Sequence, residues 1–190
     1  MATSRRAWTH QAYFRQFRLS PEQYGEILVA AAFDGTKMGD AQPGYDIEAS
    51  QPIVRRALRK SGLSLAQVNR VLSLDHGPQL RIEVKSKLAR TPAGRANVIH
   101  CRNKLTGARG QAATTHFAVI LFDGNLTGLA EEAWLFTHQS ARRLQRPETK
   151  SGYIPVPAVR RAGKDGNMGV VVIRTIINAA AVAPLSLSDR

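Results

Sequence analysis

The chain has 190 residues, 43% of them hydrophobic and 22% charged, which suits one ordinary globular domain with a sizeable core and excludes a disordered chain. A lone cysteine, Cys101, excludes a disulfide framework and makes a cysteine-rich zinc site implausible. Lysine and arginine number 27 against 14 acids, a net charge of +13, so polyanions are the favoured partners and nucleic acid leads.

In the N-terminal segment, Ser4-Arg5-Arg6 is not followed by the apolar stretch of an export signal. No apolar run anywhere approaches the roughly 18 residues of a membrane span. A cytoplasmic protein with no membrane partner is expected, with Trp8, Tyr13 and Phe14 docked on its core. The first helix opens at Ser20, where Ser20-Pro21-Glu22-Gln23 reads as a capping box, and runs to about 33 before Asp34-Gly35. A loop over 35–44 leads to an alternating strand over 45–49. Two short helices, 52–60 and 64–74, follow within a helical insertion spanning 51–76. A second alternating strand covers 81–85, and 88–110 is rich in loops. The continuous apolar run 116–122 predicts a buried strand, and 133–136 pairs back on it. Thr137 caps a helix to about 146, ended by Pro147. A short edge-like strand over 153–156 is limited by Pro155 and Pro157. The segment 169–177 reads as a strand, with a helix as the alternative, and the tail after 183 as frayed. The order predicts a single α/β (α+β) domain over 1–190, a mixed sheet flanked by helices.

The chemistry-bearing residues start with Glu83-Val84-Lys85. On a strand, positions two apart share a face, so Glu83 and Lys85 point one way while Ile82 and Val84 point into core. A carboxylate beside an amine can serve phosphodiester hydrolysis: the acid holds a hard divalent cation, and the lysine positions water and offsets phosphate charge. The plain alternative is an ion pair on an exposed strand. Asp46 lies on the other alternating strand, and if the two strands pair, Asp46 and Glu83 converge on one metal. Asp40 and Glu48 stay open as substitutes for Asp46. Glu26 sits within the first helix, near Val29, Ala30 and Phe33, and reads either as an amphipathic edge residue or as a carboxylate with a task.

Tyr24-Gly25-Glu26-Ile27-Leu28-Val29-Ala30-Ala31, Gly44-Tyr45-Asp46-Ile47 and Arg81-Ile82-Glu83-Val84-Lys85-Ser86-Lys87 together resemble the PD-(D/E)xK nuclease superfamily. Phe117-Ala118-Val119-Ile120-Leu121-Phe122-Asp123, Glu132-Ala133-Trp134-Leu135-Phe136 and Tyr153-Ile154-Pro155-Val156 are similar to its later strands. The resemblance implies a restriction-endonuclease-like fold, with the helical insertion between the first two core strands. It implies metal binding by Asp46, Glu83 and the Val84 carbonyl, with Lys85 as the catalytic lysine and Glu26 as a further helix acid. The reaction it implies is Mg²⁺-dependent (or Mn²⁺-dependent) attack of water on a phosphodiester, with no covalent enzyme intermediate.

Two cationic stretches suit a nucleic-acid partner. Between Val84 and Phe122 there is no acid, and besides Lys85 the stretch carries Lys87, Arg90, Arg95, Arg102, Lys104 and Arg109. The insertion carries Arg55, Arg56 and Arg59, and its two helices either enter a groove of DNA or pack on the sheet. His100, Cys101 and His116 lack the spacing of a metal site, and His116 reads as a satisfied strand-edge histidine. The leading expectation is therefore a metal-dependent endonuclease acting on DNA, with a homodimer supplying two active sites for two strands. The alternatives are a basic DNA-binding module with a non-catalytic nuclease-like fold, and a basic assembly protein that needs neither metal nor carboxylate geometry.

Overall fold

A strand buried on both faces organises the chain. The computed structural model describes residues 9–39, 44–72, 77–91, 94–101, 114–125, 127–145, 152–166 and 168–184, and the architecture is theirs. Two helices lead, α1 (His10–Phe17) and α2 (Pro21–Phe33), followed by strands β1 (Thr36–Lys37) and β2 (Ile47–Ser50). Helices α3 (Gln51–Lys60) and α4 (Leu65–Val71) precede β3 (Gln79–Leu88), the hairpin β4 (Arg90–Thr91) and β5 (Gly94–Arg95), and β6 (Val98–His100). Then come β7 (His116–Phe122), β8 (Ala130–Thr137), α5 (His138–Leu144), β9 (Tyr153–Pro155), α6 (Val156–Asp165), β10 (Val170–Val172) and α7 (Arg174–Val182).

The main sheet has the order β1-β2-β3-β7-β8-β10. Its neighbours are antiparallel except β3 and β7, which run parallel. This is a mixed α/β architecture with a mostly antiparallel sheet between helices. Every residue of β7 is buried, because both sheet faces are covered. Ala118, Ile120 and Phe122 join Ile82, Val84 and Leu135 in a core closed by α1, α2, α3, α4 and α7. Phe117, Val119 and Leu121 join Trp134 and Phe136 in a second core, closed by β6, β9, α5 and α6.

Local signals account for several ends. Ser20 accepts the Gln23 N–H at 3.2 Å while Gln23 accepts the Ser20 N–H at 3.1 Å, the reciprocal cap that starts α2. Asp34, at φ 47°, ends it. Thr137 accepts the Ser140 N–H at 3.0 Å and starts α5. Phe14 is buried and stacks on Tyr24 at 4.3 Å. Trp8 and the tail beyond 184 lie outside the described residues.

Other elements differ from the sequence expectation. Thr36 and Lys37 form a two-residue edge strand on β2, so the strand expected at 45–49 is the second of the sheet. β3 extends well past 81–85, because its second half pairs with β7 through Leu88. The loop-rich stretch contains a hairpin and β6. β9 leaves the main sheet and pairs with β6 as a separate ribbon. Pro157 does not limit a strand; it lies in the first turn of α6, where a missing N–H costs nothing. The 169–177 segment divides into β10 and the start of α7.

The helices between β2 and β3 pack on the sheet: Val54, Leu58, Val68 and Val71 enter the same core as α2. His116 fastens α4 there, its Nε2 2.8 Å from the Val71 carbonyl and its Nδ1 2.9 Å from the Thr115 hydroxyl. A carbonyl only accepts, so the bond to Val71 puts a proton on Nε2. Residues 73–76 of the expected insertion lie outside the described residues. Among those described, no helix is long and apolar enough to cross a membrane.

Candidate functional site

The site forms where the β2–β3 ladder stops. Its last pair is Ile47 opposite Ile82. One step further, Asp46 donates its N–H to the Ile82 carbonyl at 3.0 Å. Its carboxylate Oδ2 accepts the Val84 N–H at 2.7 Å, so a side chain replaces the missing strand. Within a strand the N–H and C=O of one residue point to the same edge. Val84 therefore turns its carbonyl to the edge where Asp46 lies.

Alternation along β3 divides its side chains. Ile82 and Val84 enter the core beneath α2, and Ser86 faces that helix. Glu83 and Lys85 point to the opposite face, where the Glu83 carboxylate is 1% exposed and holds the Lys85 ammonium at 2.5 Å. The acid is thus buried with its counter-charge rather than displayed on an open strand.

Helix α2 brings the next residues. Its Gly25 lies so close to β3 that a Cβ there would come within 2.1 Å of the Ser86 hydroxyl oxygen. That hydroxyl donates to the Pro21 carbonyl at 2.9 Å. This close approach sets Glu22 and Glu26 beside the end of β2. They line a cavity of about 540 Å³ together with Asp46, Lys85, Lys87 and His100. Glu26 also pairs with Lys37 of β1 at 2.8 Å.

The electrostatics follow from burial and crowded acids. Burial, reinforced by the Glu83 charge, pushes the Asp46 carboxyl up to about 6, against the opposing pull of the Val84 N–H and Lys85. Burial alone would lower the Lys85 ammonium, but the Glu83 carboxylate bonded to it and the Asp46 charge outweigh burial, and it sits above its ordinary range. Lys87 is lowered by burial, and its ammonium donates to the Val98 carbonyl. Burial pushes the Cys101 thiol up to about 12, so it stays protonated and is no nucleophile at neutral pH.

Of the residues singled out from sequence, Glu26, Asp46, Val84 and Lys85 line one cavity, and Glu83 adjoins it through Lys85. Lys87 lines it too, with its charge engaged internally. Glu48 does not line it; it lies opposite Arg81 and Thr36 in the sheet. The other cations lie elsewhere. Arg90 is exposed and 3.7 Å from Glu131. Arg95 belongs to β5. Arg55 is held by Asn69 at 2.5 Å, Arg56 is exposed, and Arg59 donates to the Leu63 carbonyl at 2.9 Å. Arg102, Lys104, Arg109 and Asp40 lie outside the described residues. Glu22 and Ser86 are lining residues that the sequence did not single out, and His100, set aside in the sequence as a metal ligand, lines the cavity too. Glu22 is legible in hindsight, four residues before Glu26 on a well-capped helix.

Among the described residues no group of three or more histidines, cysteines or acids is gathered in the manner of a metal centre. The carboxylates of Glu22, Glu26 and Asp46 line the cavity, that of Glu83 adjoins it, and the Val84 carbonyl turns to the edge where Asp46 lies. Of these, Asp46, Glu83 and the Val84 carbonyl are hard oxygen ligands of the kind Mg²⁺ would take, since it keeps several of its waters and needs one or two protein carboxylates. No protein-family model matches the chain, and no curated protein matches it significantly.

Proposed function

We propose that the chain is a metal-dependent nuclease that hydrolyses phosphodiester bonds, with DNA as its substrate. The observation that carries this reading is Asp46 anchored on the amide of Val84, the residue between Glu83 and Lys85, at the edge of an open cavity. The resemblance of these positions to the PD-(D/E)xK superfamily supports the same reading. Asp46 and Glu83 would hold Mg²⁺ or Mn²⁺, with the Val84 carbonyl turned to the same edge. Bound there, the ion would supply Lewis-acid stabilisation of charge growing on the phosphate oxygens.

The chain's own residues do the rest. Lys85, held protonated by Glu83 and Asp46, acts as a cationic donor and not as a general base. Its ammonium orients water and offsets charge at phosphorus. Water adds to phosphorus as the bond to one ester oxygen breaks; the water's proton passes to solvent, and the leaving oxygen ends as a hydroxyl. Two copies of the chain would present two such sites to the two strands of a duplex.

A second reading, a basic DNA-binding module without catalysis, draws on one feature. Glu83 is buried and already engaged by Lys85, as in a purely structural ion pair. Cleavage of labelled duplex, single-stranded and junction DNA with Mg²⁺ or Mn²⁺ separates the two. The nuclease reading expects wild-type cutting that needs the metal and that Lys85→Ala loses while it still binds DNA and keeps its circular dichroism spectrum. Tight binding by both proteins with cutting by neither supports the module instead.

A further inference from the structure

The cavity beside Asp46 is lined by four side chains able to donate a hydrogen bond: Lys85, Ser86, Lys87 and His100. Three of them already bond within the protein, Ser86 through its one hydrogen and each lysine through one of its three. Lys85 holds Glu83, Ser86 donates to the Pro21 carbonyl, and Lys87 donates to the Val98 carbonyl. His100 differs. It is exposed, and among the described residues no hydrogen bond engages either ring nitrogen. Yet the ring is not loose. It meets the Tyr153 ring edge-on, with centroids 4.5 Å apart and planes at 84°. The backbones beneath are fixed as well, since His100 pairs with Tyr153 in the β6–β9 ribbon and the Lys87–Val98 bond ties that ribbon to β3. An imidazole mounted on the wall of this cavity, with no described residue taking its N–H, can donate to an external acceptor.

We infer that His100 is a substrate-contacting residue, whose imidazole N–H donates to a phosphate oxygen of the nucleic acid lying along the cavity. The inference rests on the nuclease reading for the identity of the ligand, a phosphodiester. It adds a residue that the carboxylate-and-lysine motif does not contain. The contact is made to bound substrate as well as to the transition state, so its loss acts on KM more than on kcat.

Two substitutions separate a hydrogen bond to phosphate from a packing role. His100→Phe keeps an aromatic ring against Tyr153 and removes the donor. His100→Gln supplies an N–H donor and removes the ring. The expected result is a KM raised about 10- to 100-fold in His100→Phe, with kcat little changed, and most of that loss recovered in His100→Gln. Affinity for a labelled DNA oligonucleotide without divalent metal, read by fluorescence anisotropy, should follow the same order. Thermal unfolding should be nearly the same in all three proteins, because the side chain is exposed. Wild-type behaviour of His100→Phe in both assays, or a His100→Gln no better than His100→Phe, overturns the inference while leaving the nuclease reading intact. Cleavage that is absent from the wild type, or unchanged in Lys85→Ala, overturns the nuclease reading. In that case the anisotropy series alone decides whether His100 contacts nucleic acid.

Discussion

Asp46 carries opposing demands. Its Oδ2 is satisfied by the Val84 N–H at 2.7 Å, yet burial and the Glu83 charge push its carboxyl from the ordinary 3.8 up to about 6. Between those two pH values the folded protein binds more protons than the unfolded chain. The metal-free fold is therefore favoured by this residue at low pH, and the advantage is lost as pH rises through about 6. On the nuclease reading, a bound divalent cation would reverse the sign, because it requires the ionised carboxylate and so binds better above that pH. Mg²⁺ should then raise Tm clearly at about pH 7.5 and little at about pH 5. Asp46→Asn keeps an oxygen for the Val84 N–H but never ionises. It should raise the metal-free Tm at about pH 7.5, leave Tm near wild type at about pH 4, and abolish the Mg²⁺ increment. A scanning-calorimetry series across pH, with and without Mg²⁺, checks all three. A wild-type increment unaffected by Asp46→Asn would remove Asp46 from the metal site.

At the scale of elements, the placing of acids depends on how closely α2 lies on β3. A Cβ at Gly25 would meet the Ser86 Oγ at 2.1 Å and its Cβ at 2.8 Å. Rotating the hydroxyl relieves only the first contact, so Gly25→Ala must push the helix away from the strand. A loss of about 1–3 kcal/mol in urea unfolding is expected. Adding Ser86→Gly to the same chain should return much of it, at the cost of the bond to Pro21. Such packing explains what was legible beforehand. The cap at Ser20 and the alternation of Glu83 and Lys85 are local, and a single stretch of sequence carries them. That Asp46 comes to lie beside Glu83 needed only the pairing of two alternating strands. The Glu26–Lys37 pair was hidden because β1 is two residues long and has no period to read. His100 was hidden more deeply. Its place on the cavity wall depends on β6 pairing with β9 across some fifty residues of chain, and nothing around position 100 encodes that partner. Helix α6 was missed for a different reason: Pro155 and Pro157 stop a strand and start a helix equally well.

The whole molecule is strongly positive, with 27 bases against 14 acids, yet Glu22, Glu26 and Asp46 line one cavity and Glu83 adjoins it. Such a surface attracts a polyanion from a distance while the acids repel its phosphates at close range. On the nuclease reading, the divalent cation removes that local repulsion, and the remaining bases set affinity. The engaged cations, Arg55 with Asn69 and Lys87 with the Val98 carbonyl, contribute less than those facing solvent. On α3 the exposed cations are Arg56, Arg59 and Lys60, Arg59 giving one bond to the Leu63 carbonyl while its side chain stays in solvent; Val54 and Leu58 of the same helix are buried in the core, which fixes the helix with that basic side outward. Replacing Arg56 and Arg59 together by glutamine should therefore weaken duplex binding to a similar degree for every sequence tried. The slope of log K against log salt should become shallower by roughly 1–2, one phosphate contact per arginine. The metal-dependent kcat should be unchanged, since neither residue lines the cavity. Anisotropy titrations over a range of salt concentrations give the slope. If it does not move, the basic side of α3 is a solvated surface, and on the nuclease reading the affinity for DNA would have to come from other bases of the chain.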